Sequence, residues 1–533
     1  MSDVMQPVTR NRRGVATALV AGTSTAAIVA AVIVAGSLLP HPDGTKTLDT
    51  RVASVPAGET TAVCPSPVKL LQGSSVGTDA QFSPDSSTAK NTVSALVPSD
   101  TSGAIPASNL ATINGTTLAE IAKAPASGAG SNTPALKAAV VSSKTVDAAA
   151  VLSADPLKGN SSLASAVFTY TASDGDLKGI ASAPCVSPSN DQWVMGASTT
   201  VGRTSVLTLS NPSKTPATVN LEMFGAKGAI QAAGSRGLLV SPGKSRSIVL
   251  AGLVPEQAAL AVHVRSMGGA VAASIQQSTL RGLTAGGVEV LSATAAPGTS
   301  AVLTSVVIQD PTATATVRRA NGFGDAGPVL QLLVPGAADA VAQVKLFGAN
   351  GQQALDGGGV ITAKAGQVTE VPLDGVPAGI YTVSVTSDVS LAAAARITRG
   401  SKPTDALDFA FSGASTQLSD QQLVTVPRSS STGNSKLNFG VPQGRAQISY
   451  TAITADGALH KAQSISVAGG TSATVDIPAQ LSGTAVVGYI LSASGDQAYG
   501  SLLQSDSASN GLSVVPILPG VKGQQSLPVT LNY

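Results

Sequence analysis

At 533 residues the chain has room for several domains. Only 12% of its residues are charged and 3% aromatic, so it is not a highly charged disordered chain, and its wealth of Ala, Gly, Ser, Thr and Val suits thin sheets with short turns. A net charge of +2 supplies no basic face, which argues against a nucleic-acid partner.

Residues 1–13 are polar, carry Arg10, Arg12 and Arg13, and are expected to be a cytoplasmic tail. Residues 14–39 contain no charge. A bilayer needs ~20 apolar residues to be crossed, so this stretch is expected to be a transmembrane helix. The next cations are Lys46 and Arg51; the positive-inside rule then leaves the N-terminus in the cytoplasm and the chain after Pro40 outside the cell membrane. A cleaved signal peptide is the alternative, but its apolar region would be ~7–15 residues, and Val34-Ala35-Gly36 is a weak cleavage match. Residues 40–51 form a linker.

Residues 52–200 are expected to be a divergent first β module with an irregular insertion. Its start, 52–64, alternates about Gly58 like a hairpin. Residues 65–150 look least ordered, with a helical turn or two at Thr117–Lys123; strand signals return at Leu163–Thr171. The two cysteines, Cys64 and Cys185, sit in similar contexts, Cys-Pro-Ser-Pro and Cys-Val-Ser-Pro. An exterior location permits a disulfide, worth about 4–5 kcal/mol for a loop of ~120 residues on chain-entropy grounds. Two buried thiols or a metal pair are the alternatives, although two Cys without a nearby His do not complete a zinc site. Trp193 is the single tryptophan. Its place eight residues after Cys185 suggests a ring covering the disulfide, as in immunoglobulin-like cores; the alternative is a platform for stacking a sugar ligand.

The rest of the chain repeats one pattern three times, over 201–290, 291–400 and 401–518, before a tail at 519–533. Each copy has a Pro, an alternating strand and a turn glycine. Then comes a stretch that reads as a β-hairpin about Gly243, Gly366 or Gly470 (238–250, 361–373 and 465–477). Two more strands follow. Six or seven strands in roughly 100–120 residues predict all-β tandem immunoglobulin-like antiparallel sandwiches, with a β-propeller-like repeat as the alternative.

Chemistry-bearing motifs are poor. Gly73–Gly77 matches G-x-S-x-G without the helix that a nucleophile elbow needs. Gly322–Gly327 matches G-x-G-x-x-G, but Pro328 and a strand follow, so a hairpin loop is expected rather than a phosphate cradle. Ser66-x-x-Lys69 is broken by Pro65 and Pro67. His41, His263 and His460 are scattered, and His263 falls at an outward strand position shared with Ser384 and Tyr489. Asp174 and Asp176 flank a turn glycine. These residues predict no catalytic, cofactor or metal site.

The layout resembles an actinobacterial domain-of-unknown-function family of single-pass cell-envelope proteins, often encoded beside a large glycosyltransferase. The residues that carry the resemblance are the apolar stretch at 14–39, the two cysteine contexts, Trp193–Gly196, Leu207–Pro212 and the repeated Pro-Gly or Ala-Gly turns. It implies an extracytoplasmic, non-enzymatic scaffold in envelope assembly with an envelope protein partner, a glycosyltransferase among the candidates. A wall-polysaccharide-binding module is the alternative, and one Trp with six Tyr makes it short of stacking platforms.

Overall fold

The computed structural model describes residues 51–55, 57–71, 85–124, 136–428, 434–506, 510–520 and 525–529. The apolar stretch at 14–39, His41 and the Gly73–Gly77 motif lie outside them. Among the described residues no helix is long and apolar enough to cross a membrane. The chain forms two compact units. Of the smaller one, the structure describes a two-stranded sheet, Arg51–Val55 with Gln525–Val529.

The larger unit, Pro56–Gln525, is all-β and holds four modules of one topology. The second module shows it most clearly. Its first strand, Asp191–Ala197, pairs with its sixth, Leu260–Gly268, which pairs with its third, Ala217–Gly225. The third strand carries the short fourth-position strands Gly228–Ile230 and Leu238–Val240. In the other sheet the fifth strand, Lys244–Val249, pairs with the second, Arg203–Asn211. The second pairs with the seventh, Ala272–Arg281, and the seventh with the eighth, Thr284–Leu291. The order is therefore 1-6-3-4 in one sheet and 5-2-7-8 in the other, antiparallel throughout. This is not the immunoglobulin order, in which strands one, two, five and four share a sheet.

Alternation places one face of each sheet in a shared core. Val219 and Val262 from one sheet meet Leu209 and Ile275 from the other, each buried side chain contributing about 1.5–3 kcal/mol. In the third module the sixth and seventh strands are one continuous strand, Gly379–Arg399. Its first half pairs with Ala340–Gly348 in one sheet and its second half with Val329–Leu333 in the other.

Several expectations change. The repeated stretches about Gly243, Gly366 and Gly470 are not hairpins: each is an arch from the fourth strand of one sheet to the fifth of the other. Leu238–Val240 pairs with the third strand, whereas Lys244–Val249 pairs with the second; Val360–Ala363 and Val368–Pro372 divide in the same way, as do Gln463–Ala468 and Thr471–Asp476. The turn glycines adopt φ of 63°, 67° and 73°, a left-handed conformation that serves an arch as well as a hairpin. The pair about Gly58 divides too, because Thr60–Val63 pairs with Ala150–Ala154 and not with Arg51–Val55.

Within the stretch expected to be irregular, residues 90–124 and 136–145 are regular. They supply the second to fifth strands of the first module, Lys90–Pro98, Ser108–Thr112, Thr117–Ala122 and Ala138–Thr145. Thr117–Ala122 is thus a strand where a helical turn was expected; its small and polar residues hide the alternation. Module edges also move. Asp191–Ala197, placed before the break at 200, pairs within the second module, and Asp408–Gly413, placed after the break at 400, pairs within the third.

The modules close into a ring. Their eighth strands, Gly179–Pro184, Thr284–Leu291, Asp408–Gly413 and Gly511–Pro516, pack against one another in cyclic order, the fourth meeting the first. The sheet holding the first strand of each module faces the sheet holding the second strand of the next. Gln422–Thr425 of the fourth module packs on Ser165–Ala172 of the first, where the Thr425 hydroxyl donates to the Ser165 carbonyl at 3.1 Å. Two sheets per module about one axis resemble the propeller alternative. Each module nevertheless supplies two ladders, 1-6-3-4 and 5-2-7-8, and not a single four-stranded blade.

Candidate functional site: the axis of the ring

The axis is built by the eighth strands. Asp408 opens the third of them and is fully buried. Its Oδ2 accepts from the Ile180 amide at 3.1 Å and the Leu512 amide at 3.0 Å. Its Oδ1 accepts from Val288 at 3.2 Å and Phe409 at 3.0 Å. One carboxylate thus ties together a strand from every module. Room for it comes from Gly179 and Gly287, where a Cβ would fall 2.8 and 2.5 Å from Oδ1. Burial raises the Asp408 carboxyl to about 8, against four amides that favour its charged form.

One layer along, Glu289 is also buried. It accepts from the Val290 amide and from the Ser513 hydroxyl, which itself accepts from the Ser182 amide. Burial pushes Glu289 well above the ordinary carboxylate range, and the Asp408 charge adds to this.

Beyond these carboxylates the strands end in a cavity of about 420 Å³. Its wall comes from the segments that leave each module: Cys185–Ser189, Ala293–Ala295, Ala414–Thr416 and Pro516–Gly520. Hydroxyls and an amide (Ser187, Ser189, Gln192, Ser415, Thr416) alternate with Leu163, Leu423 and Ile517, and no ionisable side chain lines it among the described residues. The Thr416 hydroxyl is buried there without a partner. Such a wall can hydrogen-bond a neutral group; it holds no acid or base for proton transfer.

Cys64 and Cys185 form a disulfide that joins the exit of the first strand of the first module to the exit of its eighth. Trp193 does not cover it. Trp193 packs with Met195 and Phe224 against Leu333, Val368, Ala392 and Ala394 of the third module. Its ring stacks on His263 with centroids 3.8 Å apart and an 8° tilt, and Phe224 stands at 6.0 Å. At 8% exposure it presents no open platform, and a sugar would have to displace one of these rings.

His263 is not on a tolerant outer surface. It is buried, as is Ser384, because the outward face of each module is the inward face of a ring junction; Tyr489, expected at the same position, instead faces the core of the fourth module, opposite Val424 and Ala452. His263 Nδ1 lies 2.8 Å from Glu222 Oε2 and its Nε2 3.0 Å from Asp191 Oδ1. A catalytic triad needs one ring nitrogen facing a nucleophile; here carboxylates occupy both.

Gly322–Gly327 is not a hairpin loop either. It joins a helix, Pro311–Arg318, to the strand Val329–Leu333. Asp310 caps that helix by accepting from the Ala313 amide, with Pro311 in its first turn. The loop presents an anion of its own, since Asp325 pairs with both Arg203 and Arg281 and the Arg281 guanidinium lies over the Phe323 ring. Burial would raise Asp325, but hydrogen bonds and charge from the two arginines outweigh it and hold the carboxyl below its ordinary value.

Asp174 accepts from the Ser86, Ser87 and Thr88 hydroxyls, which lowers its pKa through those bonds and clasps residues 86–88 to its turn. Ser66 and Lys69 lie outside any helix, and His460 sits 3.3 Å from the Thr454 hydroxyl. Among the described residues, no group of three or more His, Cys, Asp or Glu is placed to hold a metal.

A sequence family described as a family of unknown function (DUF5719) matches residues 140–478, more than half of the chain. The match begins in the fifth strand of the first module and ends just past the fifth strand of the fourth. No curated protein matches the chain.

Proposed function

The chain belongs to this family of unknown function, and from that premise we propose that it is a non-enzymatic, membrane-anchored extracytoplasmic scaffold in cell-envelope assembly. The observation that carries the reading is the axis: the buried carboxylate of Asp408 is spent on backbone amides that hold the four modules to one another. The Cys64–Cys185 bridge fits an oxidising compartment, and the uncharged stretch at 14–39 would supply the anchor. The partner is an envelope protein, a glycosyltransferase among the candidates. In-cell crosslinking followed by mass spectrometry tests this: recovery of one envelope protein at fixed positions supports it, and recovery of no protein contradicts it.

A second reading is a wall-polysaccharide-binding module. It is favoured by neutral, hydroxyl-lined space, both at the axis and between the first two modules. Retention of residues 48–533 on walls stripped of protein supports this reading; binding that disappears with the wall proteins returns the scaffold.

A further inference from the structure

Equivalent faces meet at the four module junctions, and three of them are closed. Between the second and third modules, Trp193, Met195 and Phe224 cover Leu333, Val368 and Ala394. Between the fourth and first, Leu423, Ile453 and Val487 cover Leu96 and Ala138. The junction of the third and fourth is polar but zipped directly: the Thr304 and Ser501 hydroxyls are 2.7 Å apart, the Asn438 amide donates to Ser305 at 2.7 Å and Ser472 donates to Thr382 at 2.9 Å.

The junction of the first and second modules is different. Strand register equates Leu333 with Ser210, Val368 with Ser245 and Ala394 with Ser274. Three of the four third-module residues that seal one junction are serines at the other; the fourth, Ala392, is matched by Ala272. These serines pair across their own sheet, Thr208 with Ser247 at 3.1 Å and Ser210 with Ser245 at 2.8 Å. The first module meets this sheet near the axis, where Val288 and Val290 join its core and Val63–Pro65 lie beside Ser210 and Ala272, and again at Gln276, whose side chain bonds the Lys69 backbone amide and carbonyl at 3.1 and 2.9 Å. Between them lies a cleft of about 540 Å³, within the size range of small-ligand sites.

We propose that this cleft binds a short stretch of neutral carbohydrate chain, an inference that rests on the polysaccharide-binding reading above. Its floor offers Thr208, Ser245, Ser247 and Ser274, hydroxyls that both donate and accept, as sugar hydroxyls do. Leu70, Ile113 and Val206 supply aliphatic wall for the C–H faces of a sugar ring. Lys69 and Asp147 on the lining are of opposite sign, so the cleft has no net charge with which to select an ionic ligand.

The test titrates residues 48–533 with soluble fragments of protein-free wall polysaccharide from the producing cell, by calorimetry. Filling the cleft with Ser247→Leu and Ser274→Leu is expected to weaken binding at least about 10-fold. Ser247→Ala removes one hydroxyl and is expected to weaken it about 2- to 5-fold. Both variants are expected to keep the melting temperature of the parent, which separates a lost site from a lost fold. Binding by the parent that every cleft variant retains would overturn the cleft as the site while leaving the polysaccharide reading intact. No binding by the parent would overturn both.

Discussion

The junction between the second and third modules and the junction between the first and second are built on the same strands and the same register, yet one is sealed and the other is open. The sealed junction holds the single tryptophan, stacked on a histidine between two carboxylates. The open one presents serines where its counterpart presents leucine, valine and alanine. The fold therefore does not need every junction to be filled with side chains. The axis, where Asp408 gathers a strand from each module, can hold the ring while one junction is left open.

The largest expected effect breaks the sealed side. Trp193→Ala leaves a cavity beside Phe224 and Leu333 and should cost about 3–5 kcal/mol in chemical denaturation. Cutting the Cys64–Cys185 bridge with Cys64→Ser and Cys185→Ser loosens the module on the open side and should cost about 2–4 kcal/mol by the same measurement. Asp325→Asn, which strands Arg203 and Arg281 between the second and third modules, should cost about 1–2 kcal/mol, reduced because Asp325 is partly exposed.

The shared axis adds a pH dependence of known sign. Asp408 is raised to about 8 and Glu289 is raised in the same direction, against ordinary values of about 4. The folded state therefore holds protons that the unfolded state has released. The stability contributed by these groups is complete below about pH 4 and is lost as the pH rises through about 8. Melting temperatures followed over that window should fall, and Asp408→Asn should flatten the fall while lowering the curve as a whole, because its amide would face backbone N–H donors. The smallest effect sharpens the contrast between junctions: Ser274→Ala, in the open cleft, should change stability by less than about 0.5 kcal/mol.

Much of the module was legible in the sequence. Alternation located Ala217–Gly225, Ala340–Gly348 and Arg445–Thr454, and the glycines at 243, 366 and 470 marked real turns. Local pattern does not encode which ladder a strand joins, so arches looked like hairpins. The helix at Pro311–Arg318 was not anticipated, although Asp310 followed by Pro311 is a helix-start signal. Nor was the axis. Asp408 lies in an ordinary stretch, Ala406-Leu407-Asp408-Phe409, and its partners at 180, 288 and 512 are far away in sequence. Trp193 and His263 were legible as residues but not as a stacked pair, because their burial depends on the third module closing over them.

Ring closure is the claim on which the rest depends, and it is tested where the fourth module meets the first. The hydroxyls of Thr425 and Ser165 are 3.0 Å apart although the residues are 260 positions apart in sequence. With Thr425→Cys and Ser165→Cys in one chain, mild oxidation followed by peptide mapping should give an intramolecular 165–425 bridge in the folded protein and none in the unfolded chain. Free thiols at both positions, or bridges only between chains, would contradict the closed ring.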